Sequence, residues 1–331
     1  MSAATHSPHT SDSSPSQPPR KSSKAGLWLL LVLLIAGGAF AVWYFVLRGQ
    51  SSGSSALALR VIPAESDVVG GIDIGRILTS PEVRKLASDN GTDFAVIDKA
   101  LADAGIAPGD IGSLAFGMVM DGATPKEVVF ALEAKTDAKA MVAFLRIAVS
   151  QLPGPIAGLV SPDSVQAIEG TTAGSGIFLM GSGELLKKAV AMGQNPSAAT
   201  ADGGKVELAL VQKTLDAGAT MWFAAPVPPD TFSGLSGSMA KQMIGGAPSH
   251  FGASINVGSS IELRAAIHIH GGDASTIAGA LKTARKMVAG QLPEAQRALL
   301  DDIDLGGSGP VVTARIKLSE SALSNLMKQT R

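Results

Sequence analysis

Three of the five histidines fall in the last third of the chain, His250, His268 and His270. His268 and His270 are two apart, so on a strand both imidazoles point to one side. His250 opens the apolar run before them. A turn at Gly258-Ser259 would fold the two runs together and bring His250 beside His268 or His270. Three imidazoles can hold zinc or copper. Against this, no Asp or Glu is spaced to orient the rings, and histidines beside Glu262 and Arg264 also fit an ordinary polar sheet face. The three stand as candidate metal ligands only; no metal and no cofactor is assigned.

The remaining motifs are fragments. Ser238-Met239-Ala240-Lys241 matches S-x-x-K, and Ser88-Asp89-Asn90 matches the second element of serine penicillin-recognising enzymes. Their order is reversed and K-T-G is missing. No G-x-S-x-G elbow or phosphate-binding P-loop occurs. Gly181-Ser182-Gly183 precedes a helix and could offer backbone amides to an anion, or be a tight turn. Asp301, Asp302 and Asp304 run into Gly306-Gly307-Ser308-Gly309, but the spacing fits no calcium loop. A histidine-containing triad would have to use His250, His268 or His270, and none has a nucleophile partner recognisable in sequence. With no cysteine in the chain, thiol nucleophiles, disulfides and cysteine-ligated metals are excluded. The expectation is a protein without a catalytic motif.

Charge narrows the partners. The chain has 27 basic and 28 acidic residues, and the basic excess lies before Arg60, leaving the rest acidic by about four charges. Such a field does not gather phosphates. Beyond Tyr44 the sole Trp or Tyr is Trp222, so stacking platforms for bases are lacking as well. Nucleic acid is disfavoured on both counts.

These residues need a scaffold and a location. Leu27–Leu47 (LWLLLVLLIAGGAFAVWYFVL) is uncharged and, as a helix of ~31 Å, would cross the hydrocarbon of a bilayer. Trp28 sits near one end, and Trp43 and Tyr44 near the other, as interfacial residues do. Arg20, Lys21 and Lys24 precede it; Arg48 and Arg60 follow. That bias places the N-terminus in the cytoplasm and the bulk outside it. Ala39-Phe40-Ala41 mimics a cleavage site, but the apolar run continues through Val42–Leu47, longer than a signal-peptide core. The lipid bilayer is therefore an expected partner through Leu27–Leu47. Residues 1–26 read as a disordered cytoplasmic tail, and residues 48–60 as a flexible linker containing GQSSGSS.

The exported part divides at Asn195–Gly204, a stretch of linker composition, into a first module over residues 61–195 and a second over 205–331. Strands are expected at Val68–Ile74, Ser113–Met120, Glu127–Ala134, Val165–Glu169 and Gly176–Met180, then at Ala219–Ala225, His250–Val257, Ile261–His270 and Val311–Leu318. Helices follow from Ser80-Pro81-Glu82 and over Phe94–Ala104, Asp137–Gln151 and Ser182–Ala191, then Val206–Asp216, Thr231–Ile244, Ala274–Ala289, Pro293–Asp302 and from Ser319 or Ser321. Ile261–His270 alternates cleanly, with Ile261, Leu263, Ala265, Ile267 and Ile269 on one side. The fold class is α+β, mostly antiparallel sheet: two tandem ferredoxin-like (β-α-β-β-α-β) modules after one transmembrane helix.

With that order in place, the chain resembles a diffuse group of uncharacterised bacterial envelope proteins with a single signal anchor and an exported α/β region. The resemblance rests on Pro63, Ala64, Asp67, Val69, Gly70, Asp73, Ser80 and Pro81. It implies an inner-membrane, single-pass, periplasmic location and carries no site residues. The expected function is a membrane-anchored extracytoplasmic interaction or scaffold protein with an envelope protein partner. The alternative is binding of a small or apolar ligand between the two modules.

Overall fold

The structure is a computed structural model that describes residues 56–89, 94–122, 124–150, 158–172, 175–195, 206–216, 218–227, 246–258, 260–290, 297 and 300–319. The tail, the apolar run Leu27–Leu47, the expected helix over Thr231–Ile244 and the one after Ser319 lie outside these residues. Among the described residues no helix is long and apolar enough to cross a membrane.

Ten strands form one antiparallel sheet. The first half comprises α1 (Ala56–Leu59), β1 (Val68–Asp73), α2 (Ile74–Thr79), α3 (Pro81–Asp89), α4 (Phe94–Asp103), β2 (Ile111–Asp121), β3 (Thr124–Ala134), α5 (Ala138–Ser150), β4 (Gln166–Thr172), β5 (Ser175–Gly181) and α6 (Gly183–Gln194). The second comprises α7 (Val206–Thr214), β6 (Met221–Pro226), β7 (Ala247–Val257), β8 (Ile261–His270), α8 (Ala274–Ala289), β9 (Asp304–Ser308) and β10 (Val311–Leu318).

The strand order is β4-β5-β3-β2-β1-β6-β7-β8-β10-β9. Read outward from the centre, both halves have the same order, so the sheet is a duplication. The two copies meet at β1 and β6, where Gly70 pairs with Phe223. A half-turn about an axis through that pair, normal to the sheet, carries one pairing pattern onto the other.

The match extends to individual hydrogen bonds. Ile62 N donates to Leu59 O, as Leu215 N does to Gln212 O. Ser66 N donates to Pro63 O, as Ala219 N does to Asp216 O. Asp67 Oδ2 accepts from Met120 N at 2.9 Å, and Thr220 Oγ1 accepts from Val257 N at 2.9 Å. Each side chain closes the end of the ladder between the first and second strands of its half. The helices after β3 and β8 are both N-capped by an aspartate. Asp137 Oδ1 accepts from Ala140 N, and Asp273 accepts from the amides of Ser275 and Thr276. Such caps satisfy amides that the first helical turn leaves unpaired.

This pairing corrects the ferredoxin-like expectation. That arrangement inserts the first strand between the third and fourth and leaves it parallel to the second, which it does not touch; here β1 lies beside β2 and antiparallel to it. The physical difference lies in the crossover. Segment 74–110 returns the chain antiparallel next to β1 instead of crossing over a strand. Each half also has a fifth strand. β9, within the acidic, glycine-rich run, pairs with β10. Part of the expected linker is structured too: residues 56–59 form α1, and Ala58 is buried with Val61 and Ile62 against the sheet.

Both faces of the sheet are covered. On the front face Leu114, Phe116, Met118, Val128, Phe130 and Leu132 meet α2–α5 through Ile77, Leu101, Met141 and Leu145. Met141, Leu145 and Val149 are four apart, the spacing that puts one stripe of a helix against a sheet. α8 lies on the same front face, with Ile277 and Leu281 against Ile267, Ile269 and Val312. On the back face α1, α6 and α7 pack on Val129, Ala131, Leu179, Trp222 and Ala266. The halves are not separated by a cleft. Ile72, Phe116, Met221, Ile255 and Val257 belong to one core, and Arg76 Nη2 donates to Val257 O across the join at 3.0 Å. The ladder and this core join the two halves directly.

Candidate functional site

The back face of β7, β8 and β10 carries the densest group of polar side chains that the sequence singled out. Alternation along β8 sends Glu262, Arg264, His268 and His270 to this side, while Ile261, Leu263, Ile267 and Ile269 face the front cores. The expected alternation is present, but the back side is not uniformly wet: Ala266 and His268 are buried.

His250 pairs directly with His268 across β7 and β8. His270 lies opposite Ala247, exposed at the strand end, so the third imidazole does not converge with the other two. Among the described residues no group of three or more His, Asp or Glu is placed to hold a metal ion. The histidines are instead joined by a residue that sequence reading missed. Pro248 pairs with Ile269 and His250 with His268, so Ser249 is the extra residue of a β-bulge. Its Oγ lies 2.6 Å from His268 Nδ1 and 3.2 Å from His250 Nδ1. Its carbonyl accepts from Val227 N at 2.8 Å. The available signal was Pro248, because proline inside a strand marks an edge or a bulge.

Further along the same face Glu262 Oε1 accepts from Arg264 Nε at 2.6 Å and from Arg315 Nε at 2.8 Å. Its Oε2 accepts from Arg315 Nη2 at 2.7 Å. The Arg315 hydrogen bonds, aided by Arg264 and opposed by burial, hold the Glu262 carboxyl at about 2. It is a fixed anion in a three-residue ion pair and has no proton to exchange near neutral pH.

The other candidates resolve into structural roles where they can be seen. At the start of α6 an anion is present, and it is the protein's own: Leu185 N donates to Glu127 Oε2 at 2.9 Å. Gly183 has φ +64°, and a Cβ there would stand 2.5 Å from the Glu127 carboxyl carbon, so both backbone and space require glycine. Ser182 occupies the N-cap position, but its hydroxyl accepts from Val128 N and not from the helix. Gly307, in the acidic-glycine run, lies in β9 where a Cβ would meet Ala274 O at 2.2 Å; the glycine lets α8 approach the sheet. Asp304 starts β9 beside Arg315. Ser88 is exposed near the end of α3. Asn90, Ser238 and Lys241 lie outside the described residues.

No protein-family description matches the chain, and no curated relative does. Among solved structures, crystal form I of TP0453 is similar over 82% of this chain and 97% of its own, at 7% identity and a TM-score of 0.39. The double-ringed trimeric shell protein MSM0271 from the RMM microcompartment is similar over 62% of this chain and 81% of its own, at 12% identity and a TM-score of 0.12. At these values neither likeness transfers a fold or a function.

Proposed function

We propose that the protein is a single-pass, membrane-anchored interaction or scaffold protein of a bacterial envelope, with its N-terminus in the cytoplasm and its sheet domain outside. The observation that carries this reading is the uncharged run Leu27–Leu47 with Arg20, Lys21 and Lys24 before it. Only eight residues separate Leu47 from α1, a reach of at most about 30 Å. Such a tether keeps the domain beside the bilayer and its partners within the envelope. The chemistry of the back face supports an interaction role over turnover: Glu262 is spent on two arginines and Glu127 on a helix end.

The test is crosslinking of the full chain in intact cells, followed by identification of what is caught. The expected result is a defined envelope protein joined to the sheet domain. Absence of any envelope partner, together with measured turnover by the purified full chain, would overturn the proposal.

A further inference from the structure

The two aspartate-capped helices of the front face, α5 and α8, hold equivalent places in the two halves and turn different surfaces outward. In α8 the outward stripe is Ser275, Gly279, Lys282, Thr283 and Lys286, spaced as one helix face. Apart from its glycine it is polar, as a face meeting water should be.

Helix α5 (AKAMVAFLRIAVS) has no such face. Met141, Leu145 and Val149 are buried on the sheet. The opposite stripe, Lys139, Ala143, Arg146, Ile147 and Ser150, is exposed, as is Ala148 beside it. Ile147 is 64% exposed, and Ser150 Oγ donates back to Ile147 O at 2.6 Å. A helix apolar around most of its circumference is ordinarily covered on more than one side. The charges on α5 are Lys139 and Arg146, both cations; the helix contains no acid, and neither cation is ion-paired to a described residue. Cations beside an isoleucine and alanines, with no carboxylate among them, complement an anionic lipid surface. Headgroup phosphates take the charges, and the boundary of the acyl chains takes the apolar side chains.

α5 is also the helix that the chain can bring to a bilayer, and here the inference rests on the proposed anchor. α1 lies on β2 and β3. α5 lies over β4 and β5, at the edge of the sheet two strands from β3, about 10 Å away. The other edge, with α8 over β9 and β10, is six strands from β2, about 29 Å away. The eight residues before α1 reach at most about 30 Å, and bringing that far edge down would use them entirely. With the β4 edge tipped toward the bilayer, α5 meets it and α8 stands clear.

We infer that the outward stripe of α5, Lys139, Ala143, Arg146 and Ile147, lies on the headgroups of the same anionic bilayer that holds Leu27–Leu47. The contact fixes how the sheet domain stands on the membrane and leaves α8 and the back face open to an envelope partner.

The test uses the full chain in vesicles of phosphatidylethanolamine and phosphatidylglycerol. Bimane is placed on the single-cysteine variants Ile147→Cys, Met287→Cys and Ala36→Cys, and its quenching by nitroxide lipids and by aqueous iodide is compared. The expected result is that position 147 loses fluorescence to the nitroxide lipids and is shielded from iodide, while position 287 shows the reverse. Adding Lys139→Gln and Arg146→Gln should lower the docked-to-undocked ratio at position 147 by about fivefold for each cation lost. Ala143→Cys must report as position 147 does, and it serves if the first variant fails to fold. Position 36 separates the two readings. If it is quenched by the nitroxide lipids while 147 and 143 are open to iodide, or shielded from both quenchers, the α5 contact is overturned and the anchor stands. If position 36 is open to iodide, the anchor falls and the α5 contact with it.

Discussion

The two halves of the sheet share a skeleton and differ in what they do with it. Glu127 and Glu262 occupy equivalent positions on β3 and β8. In the first half the carboxylate receives Leu185 N and anchors α6; in the second it receives Arg264 and Arg315. Glu133 and His268 are another such pair. Glu133 Oε2 is buried without a hydrogen-bond partner, whereas His268 is bridged by Ser249. What persists between the copies is the set of contacts that closes ladders and starts helices: Asp67 and Thr220, Asp137 and Asp273. What changes is the back face.

The comparison can be broken most forcefully in the cores. Phe178 on β5 corresponds to Val312 on β10, and Phe178 is 1% exposed. Phe178→Ala should cost about 3–5 kcal/mol, and Val312→Ala a smaller loss. Both are read from urea transitions of the full chain in micelles, followed by far-UV circular dichroism. Because one core spans the join, both variants should unfold in a single transition. Two separate transitions would mean that the halves are independent.

Next come the ladder-closing residues. Thr220 is 2% exposed, so Thr220→Val leaves Val257 N buried and unpaired at about 1–3 kcal/mol. Asp67→Ala acts at the matching but half-buried site, where water can reach Met120 N, and should cost less. The same urea transitions decide the order.

The ion-pair comparison is smaller. Glu262→Gln strips Arg264 and Arg315 of their carboxylate, but the Arg315 side chain is half exposed, which limits the loss to about 1 kcal/mol. Glu127→Gln removes a charge from a helix N-terminus and should cost about 0.3–1 kcal/mol. The Glu262 effect is pH-dependent with a definite sign. Its folded value, about 2, lies below the ordinary glutamate value of ~4.3, so its contribution is complete above the latter and is lost as pH falls toward 2. In Glu262→Gln the melting temperature between pH 5 and 2 should therefore fall less steeply than in the wild type.

The gentlest test compares the two caps. Asp273 takes hydrogen bonds from Thr276 and Ser275, side chains and amides both, which hold its carboxyl at about 2. Asp137 takes the amide of Ala140. Helix α8 should accordingly lose more protection than α5 in the respective Asp→Ala variants, and acid should weaken the α8 cap as pH drops below ~4 toward 2. Hydrogen exchange of the two first turns reads this directly.

Much of the element order was legible in the sequence, because periodicity and caps are local. β8, α8 and β10 have the bounds that alternation and capping predict. Strand order was not legible. Nothing in Val68–Asp73 says which strands it pairs with, so the ferredoxin-like arrangement and the observed meander read alike. β9 was hidden because its Gly306 and Gly307 have no side-chain pattern; they are there for the close approach of α8 and β10. At the site, the facing of His250 and His268 followed from strand periodicity and the turn. Ser249 did not, since a bulge shifts the period by one residue and hides which side chain lies between the strands.

In the proposed topology Leu27–Leu47 holds the chain across a membrane with the sheet domain outside the cytoplasm. The chain contains no cysteine, so single-cysteine variants report without background. The decisive measurement is labelling of intact cells with a membrane-impermeant maleimide in the variants Ser13→Cys, in the N-terminal tail, and Thr276→Cys, on an exposed turn of α8. Labelling of position 276 but not of 13 until the cells are lysed is the result predicted here. Position 276 protected in intact cells and labelled only after lysis would contradict the account.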